Sequence, residues 1–208
     1  MPTTDRLGTP SGEDPVYGAE LEGFSYPGPV LKFAFVSQDI PLHMAYIDVK
    51  PTRPNGRVVT LLHGRNYVAA TRQGTIAVLS DAGYRVIAPD QIGFGKTTKP
   101  AHYQYTFQQF AGNTHALLDS LGISRVTIVG HSTGGMLGVR YARMYPDSID
   151  QLGLVDPIGL EDWKAKGVPG KASRHCTTRN CRRPLILFAN MSASPITVAR
   201  GSQNTSSG

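Results

Sequence analysis

The chain has 208 residues, 40% hydrophobic and 17% charged, with a mean hydropathy of −0.20. That is enough apolar material for one domain with its own core, and it excludes collagen-like, coiled-coil and wholly disordered chains. The net charge of +6 is lopsided: residues 163–208 carry eight basic side chains and no acid, while residues 1–162 hold the other 13 basic residues and all 15 acids.

The basic pI of ≈ 9.4 therefore belongs to the tail. That tail has a single adjacent arginine pair, Arg182-Arg183, and no aromatic platform beyond Trp163, which argues against a nucleic-acid partner. No apolar run reaches the roughly 18–20 residues of a spanning helix. Met1-Pro2-Thr3-Thr4-Asp5-Arg6 lacks the charged-then-apolar pattern of an export signal, so a cytoplasmic location is expected. Two cysteines, Cys176 and Cys181, are too few for a disulfide scaffold.

Residues 1–30 are rich in Pro, Gly, Glu and Thr and read as an irregular arm. Residues 31–36 and 42–49 are β-rich runs, expected to pair antiparallel, and the Pro51–Gly56 stretch is a turn. Short apolar strands then alternate with amphipathic helices. Strands are expected at 58–62, 85–88, 126–129 and 152–155. A helix is expected over 69–82, ending at Gly83, and another from about Thr133 to Tyr145, closed by Pro146. Between them Thr106 and Gln109 have capping-box spacing, opening a helix that places Phe107, Phe110, Thr114, Leu117, Leu118 and Leu121 on one face. This alternation predicts an α/β fold, with a mainly parallel twisted sheet covered by helices on both faces and an N-terminal antiparallel pair. Residues 166–208 lose periodicity and read as a basic, disordered-type tail, with an isolated apolar run at 185–189.

The strongest chemical signal is Gly130-His131-Ser132-Thr133-Gly134-Gly135, a G-x-S-x-G set between an apolar strand and a helix. A nucleophile on a sharp strand-to-helix turn is backbone-strained, so Gly130 and Gly134 must lack bulk, and the helix start supplies N–H groups for an oxyanion. The N–H of Thr133 is one expected donor. The second would come from Arg65 in His63-Gly64-Arg65-Asn66, where Gly64 lets the backbone approach. His63 itself reads as a structural histidine, because that position calls for backbone donors. Gly95-Lys96-Thr97 invites a phosphate-loop reading, but Asp90 stands where that motif needs glycine, so the segment reads as a structural loop. No histidine pair has metal-ligand spacing with a carboxylate, and neither a metal nor a cofactor is expected.

Leu61-Leu62-His63-Gly64, Asp90-Gln91-Ile92-Gly93-Phe94-Gly95 and Gly130–Gly135 occur in the order and spacing of the α/β-hydrolase superfamily, and Tyr141–Pro146 resembles the end of its post-nucleophile helix. The resemblance spans roughly residues 30–165, taken as a partial hydrolase core. It implies a serine hydrolase of the esterase, lipase or C–C-bond kind acting on a small ester-like substrate. A Ser at the elbow argues against the branches with an Asp nucleophile. It also implies a lid entered through Ile158–Trp163.

The family order places an acid and then a histidine after the nucleophile. Asp156, at the end of the 152–155 strand, is the best acid candidate, with a turn-capping role before Pro157 as the alternative. The only later histidine, His175, lies in the acid-free tail, so the base is unidentified. The chain thus reads as a hydrolase truncated after its sixth strand and impaired, whose exposed sheet edge would invite self-association. The competing reading is a non-catalytic remnant or binding module.

Overall fold

The computed structural model describes residues 17–162 and 165–167. The expected tail, with His175, both cysteines and the 185–189 run, lies outside the described residues apart from Lys166 and Gly167. So does Trp163 at the expected lid entry.

Six strands form one mixed sheet. Strand β1 (Leu31–Ser37) and β2 (Ile40–Val49) make the expected hairpin, with Leu31 opposite Tyr46 and Ser37 opposite Ile40. β3 (Val58–Leu62), β4 (Arg85–Pro89), β5 (Val126–His131) and β6 (Ile149–Val155) run parallel to one another. The spatial order is β1-β2-β4-β3-β5-β6, with β2 antiparallel to β4. The chain therefore reverses its direction of growth at β3, and the C-terminal ends of β3 and β5 lie side by side, with Leu62 opposite Gly130.

Side-chain alternation along these strands divides the core in two. Val59, Leu61, Val86 and Ala88 face one side with Ile76 of helix α1 (Gln73–Asp81). Leu62, Ile87 and Ile128 face the other, against Phe110 and Leu117 of α2 (Phe107–Ser120) and Leu137 and Tyr141 of α3 (Thr133–Met144). Helices thus cover both faces, as the βαβ alternation requires.

Local chemistry modifies some expected boundaries. The 69–82 helix begins as a 3₁₀ turn, Ala69–Arg72, where the Ala69 N–H is held at 2.7 Å by the Asp90 carboxylate just past the end of β4. The Thr106–Gln109 capping box is only half formed. Thr106 Oγ1 accepts from the Gln109 N–H at 3.1 Å, while the Gln109 amide group is drawn to Asn113 at 2.9 Å instead of the Thr106 N–H. The 152–155 strand starts earlier, at Ile149, where Arg125 clasps Asp150 at 2.7 Å. Among the described residues no helix is long and apolar enough to cross a membrane.

Candidate functional site

β5 ends in His131, and α3 begins at Thr133, so the whole strand-to-helix reversal is made by Ser132. Its φ of +54° and ψ of −118° lie in a region that non-glycine residues rarely occupy. Three backbone hydrogen bonds over-determine it. The Ser132 N–H donates to the Val155 carbonyl at 3.1 Å, and its own carbonyl accepts from Gly135 at 3.0 Å and Ile158 at 3.4 Å. The exit of β6 thus wraps the hinge and holds its strain in place.

The flanking glycines are required by contact. A Cβ on Gly130 would stand 2.2 Å from the Gly134 carbonyl oxygen, and one on Gly134 would stand 2.3 Å from that of Leu62. Gly64 lies directly across the hinge. A Cβ there would meet His131 Nδ1 at 3.1 Å, Ser132 Cβ at 3.2 Å and the Tyr67 ring at 3.2 Å. Both His131 and Ser132 therefore border Gly64, although alternation along a strand predicts that they diverge. The reason is the Ser132 backbone, which is no longer extended. The His131 ring lies edge-on to Tyr67 at 5.4 Å, and its Nδ1 has no partner among the described residues.

Gly64, Arg65, Thr133 and Gly134 line one cavity of about 20 Å³ between the β3 exit and the start of α3. Arg65 and Thr133, the residues of the two expected amide donors, thus line the same cavity, and Ser132 adjoins it through Thr133 without lining it. The first turn of a helix leaves its N–H groups without intrahelical acceptors, and its dipole favours negative charge there. An oxygen gaining charge beside Ser132 would meet that environment.

His63 is buried and fully committed. Its Nδ1 donates to the Gly64 carbonyl at 2.8 Å, and its Nε2 accepts from the Gln91 N–H at 3.0 Å. Burial holds its pKa below the usual histidine value, despite an opposing pull from Asp90, since a proton on Nε2 would also break the bond from Gln91. The ring is a strut between two loops, as the position suggests. The 91–97 loop is likewise structural: Gly93 and Gly95 take positive φ, and Lys96 N–H closes the loop onto the buried Asp90 carboxylate at 2.9 Å.

Asp156 follows β6 immediately, at φ +43°, one residue beyond the carbonyl that holds the Ser132 N–H. It is exposed, and among the described residues its carboxylate makes no hydrogen bond, so neither a cap nor an orienting contact is formed. The Ser132 hydroxyl also has no hydrogen bond among the described residues. The other histidines are engaged elsewhere or distant in the fold: His43 with Thr98 at 3.0 Å, and His115 with Tyr141 at 3.1 Å and stacked on Tyr145. Among the described residues no cluster of three His, Cys, Asp or Glu side chains is placed to hold a metal ion.

The sequence gives no hint of Tyr67, nor of the aromatic wall that Phe94, Phe107 and Phe110 raise around the cavity. The spacing of Phe107 and Phe110 on one helical face marks them as core, and only the sheet order brings that face to Gly64.

A family model described as alpha/beta hydrolase fold matches residues 57–172. The crystal structure of a probable hydrolytic enzyme from Pseudomonas aeruginosa PAO1 is 60% identical and superposes with a TM-score of 0.74, covering 76% of this chain and 51% of that one. A haloalkane dehalogenase of Mycolicibacterium paratuberculosis is 35% identical over 113 residues, which are 54% of this chain and 37% of the dehalogenase. Lipase 1 of Psychrobacter immobilis is 37% identical over 109 residues, 52% of this chain and 32% of the lipase. The chain thus spans about half of that solved structure and about a third of these curated relatives.

Proposed function

This chain belongs to the α/β-hydrolase fold family, and on that premise we propose that it is a serine hydrolase of ester or related acyl bonds, with Ser132 as nucleophile. The observation that carries the reading is the Ser132 backbone, held at positive φ by three hydrogen bonds where β5 gives way to α3. Strain of that kind costs of order 1–3 kcal/mol and persists where the surroundings impose it. The Asp-nucleophile chemistry of a dehalogenase is not available to a hydroxyl side chain, and the similarity to a lipase agrees with acyl transfer.

In this reading Ser132 Oγ forms a bond to the acyl carbon as its proton passes to a base. The carbonyl oxygen takes up the negative charge and is met by the Thr133 and Arg65 N–H groups. Collapse expels the alcohol, which takes a proton, and water then releases the acid from Ser132. Asp156 would orient a base arriving at the β6 exit. Among the described residues none supplies that base, and weak turnover is what a site without one would give. A triad enzyme lacking one member retains on the order of 10³–10⁴ over water.

Labelling by a fluorophosphonate, followed by intact mass, tests the assignment. One adduct per chain at Ser132, lost in Ser132→Ala together with p-nitrophenyl acetate turnover, is expected. Turnover that survives Ser132→Ala would remove it. The unpartnered Ser132 hydroxyl favours a second reading, a non-catalytic binding module, which stoichiometric labelling would sink. We also propose self-association along the outer edge of β6, which carries no neighbouring strand among the described residues. Monomeric sedimentation would exclude it.

A further inference from the structure

We propose that the acyl side of this site admits an acetyl or propionyl group and gains nothing from a longer one, the limit being set by Phe94. The proposal rests on Ser132 as nucleophile and concerns what that residue can be acylated by.

The cavity lined by Gly64, Arg65, Thr133 and Gly134, adjoining Ser132 through Thr133, has a volume of about 20 Å³. One water-sized group occupies roughly 10–15 Å³ on that measure, so the space takes a carbonyl oxygen and about one further carbon. Its far walls are the apolar Phe94, Phe107, Phe110 and Leu137, with Gln91 among them. A polar or charged acyl substituent would be desolvated there without a partner, which disfavours hydroxy-acyl and dicarboxylic substrates. Gln91 is the polar side chain of the far wall, and both ends of its amide are turned to Thr114 Oγ1, at 3.2 and 3.4 Å.

These walls are not free to retreat. Phe94 is wedged edge-on between His63, at 5.3 Å between ring centroids, and Phe110, at 6.5 Å. Behind it His63 has both nitrogens bonded, and the loop that carries Phe94 is closed by the Asp90–Lys96 contact. Phe110 and Leu137 are each 3% exposed and belong to the main core, where packing is dense and displacement is resisted. A butyryl or hexanoyl chain would therefore extend past these walls, which would not bury its added methylenes. Where methylenes are buried, each is worth about fourfold in affinity or rate.

The experiment uses the full chain and p-nitrophenyl acetate, propionate, butyrate and hexanoate. Nitrophenolate release is read with Ser132→Ala subtracted, and acylation of Ser132 is followed by intact mass. Acetyl and propionyl are expected to react fastest, with no gain from butyryl onward. In Phe94→Ala the rate should climb about fourfold per methylene through hexanoyl. Rates that already rise with chain length in the unmodified chain overturn the size limit while leaving Ser132 as nucleophile. A plateau unchanged in Phe94→Ala overturns the assignment to Phe94. Absence of any Ser132 acylation overturns the serine-hydrolase reading itself.

Discussion

The Tyr26 hydroxyl donates to Oδ2 of Asp90, joining the irregular arm to the end of a central strand 64 residues away. Asp90 is fully buried, and the same carboxylate accepts from Ala69 N–H at 2.7 Å and Lys96 N–H at 2.9 Å. One side chain thus fastens the arm, the turn that opens α1 and the loop that carries Phe94. Burial and the neighbouring carboxylate push the Tyr26 phenol well above its usual range, which keeps it a donor at neutral pH. Hydrogen bonds to charged groups contribute about 1.5–3 kcal/mol. Tyr26→Phe is expected to cost about 1.5 kcal/mol in urea unfolding. Asp90→Asn should cost more, about 3 kcal/mol, because its NH₂ group would face backbone donors.

The Ser132 hinge stores strain that only glycine escapes, since the clash comes from Cβ and not from the hydroxyl. Ser132→Gly is expected to raise stability by about 1 kcal/mol in denaturant titration, net of the entropy glycine adds to the unfolded chain. Ser132→Ala keeps Cβ and should leave stability near that of the parent. A Gly variant less stable than the Ala variant would contradict the strain.

Thr60 sits in the middle of the sheet, 0% exposed, opposite Ile87 on one side and Ile128 on the other, and its hydroxyl has no partner among the described residues. An unpaired buried hydroxyl costs about 1–3 kcal/mol by mutational measures. Thr60→Val has nearly the same shape and is expected to stabilise by about 1 kcal/mol. Thr60→Ala, which leaves a void, should not.

His63 is held neutral, its folded pKa lying below the ordinary value of about 6.5 that applies unfolded. Between those two values the unfolded chain binds a proton that the folded chain refuses. Protonation therefore favours unfolding, and stability from this group is present above about pH 6.5 and is lost as pH falls below it. Urea midpoints measured from pH 7.5 to 5 should decline, and the decline should be shallower in His63→Gln. An identical slope in the two proteins would mean that another group carries it.

The parallel strands and the helices were legible because their signals are local. Val58–Leu62 is apolar enough to be buried on both faces, the Phe107–Leu118 stripe has helical period, and the glycines at 130 and 134 bracket a single hydroxyl. Departures occur where a distant group competes with a local preference. Asp90 captures the Ala69 N–H and tightens the helix start, and Asn113 draws Gln109 away from closing its capping box. The sequence marks Asp90 as a misfit in a phosphate-loop pattern and as the start of a family motif, and in neither as a buried anchor. Its three partners lie at 26, 69 and 96, and no window of sequence contains them all.

Alternating apolar periods dictated a covered parallel sheet, and Gly130 dictated a hinge that could close, since bulk there would strike the Gly134 backbone four residues on, whereas bulk at Gly134 would strike Leu62 on another strand. Placing Gly64 against that hinge, wrapping it with the β6 exit and setting Phe94, Phe110 and Leu137 around the cavity belonged to the tertiary structure alone. Those appositions depend on β3 and β5 becoming neighbours and on helices crossing the sheet between them, which is a property of strand order and not of any residue's own neighbours in sequence.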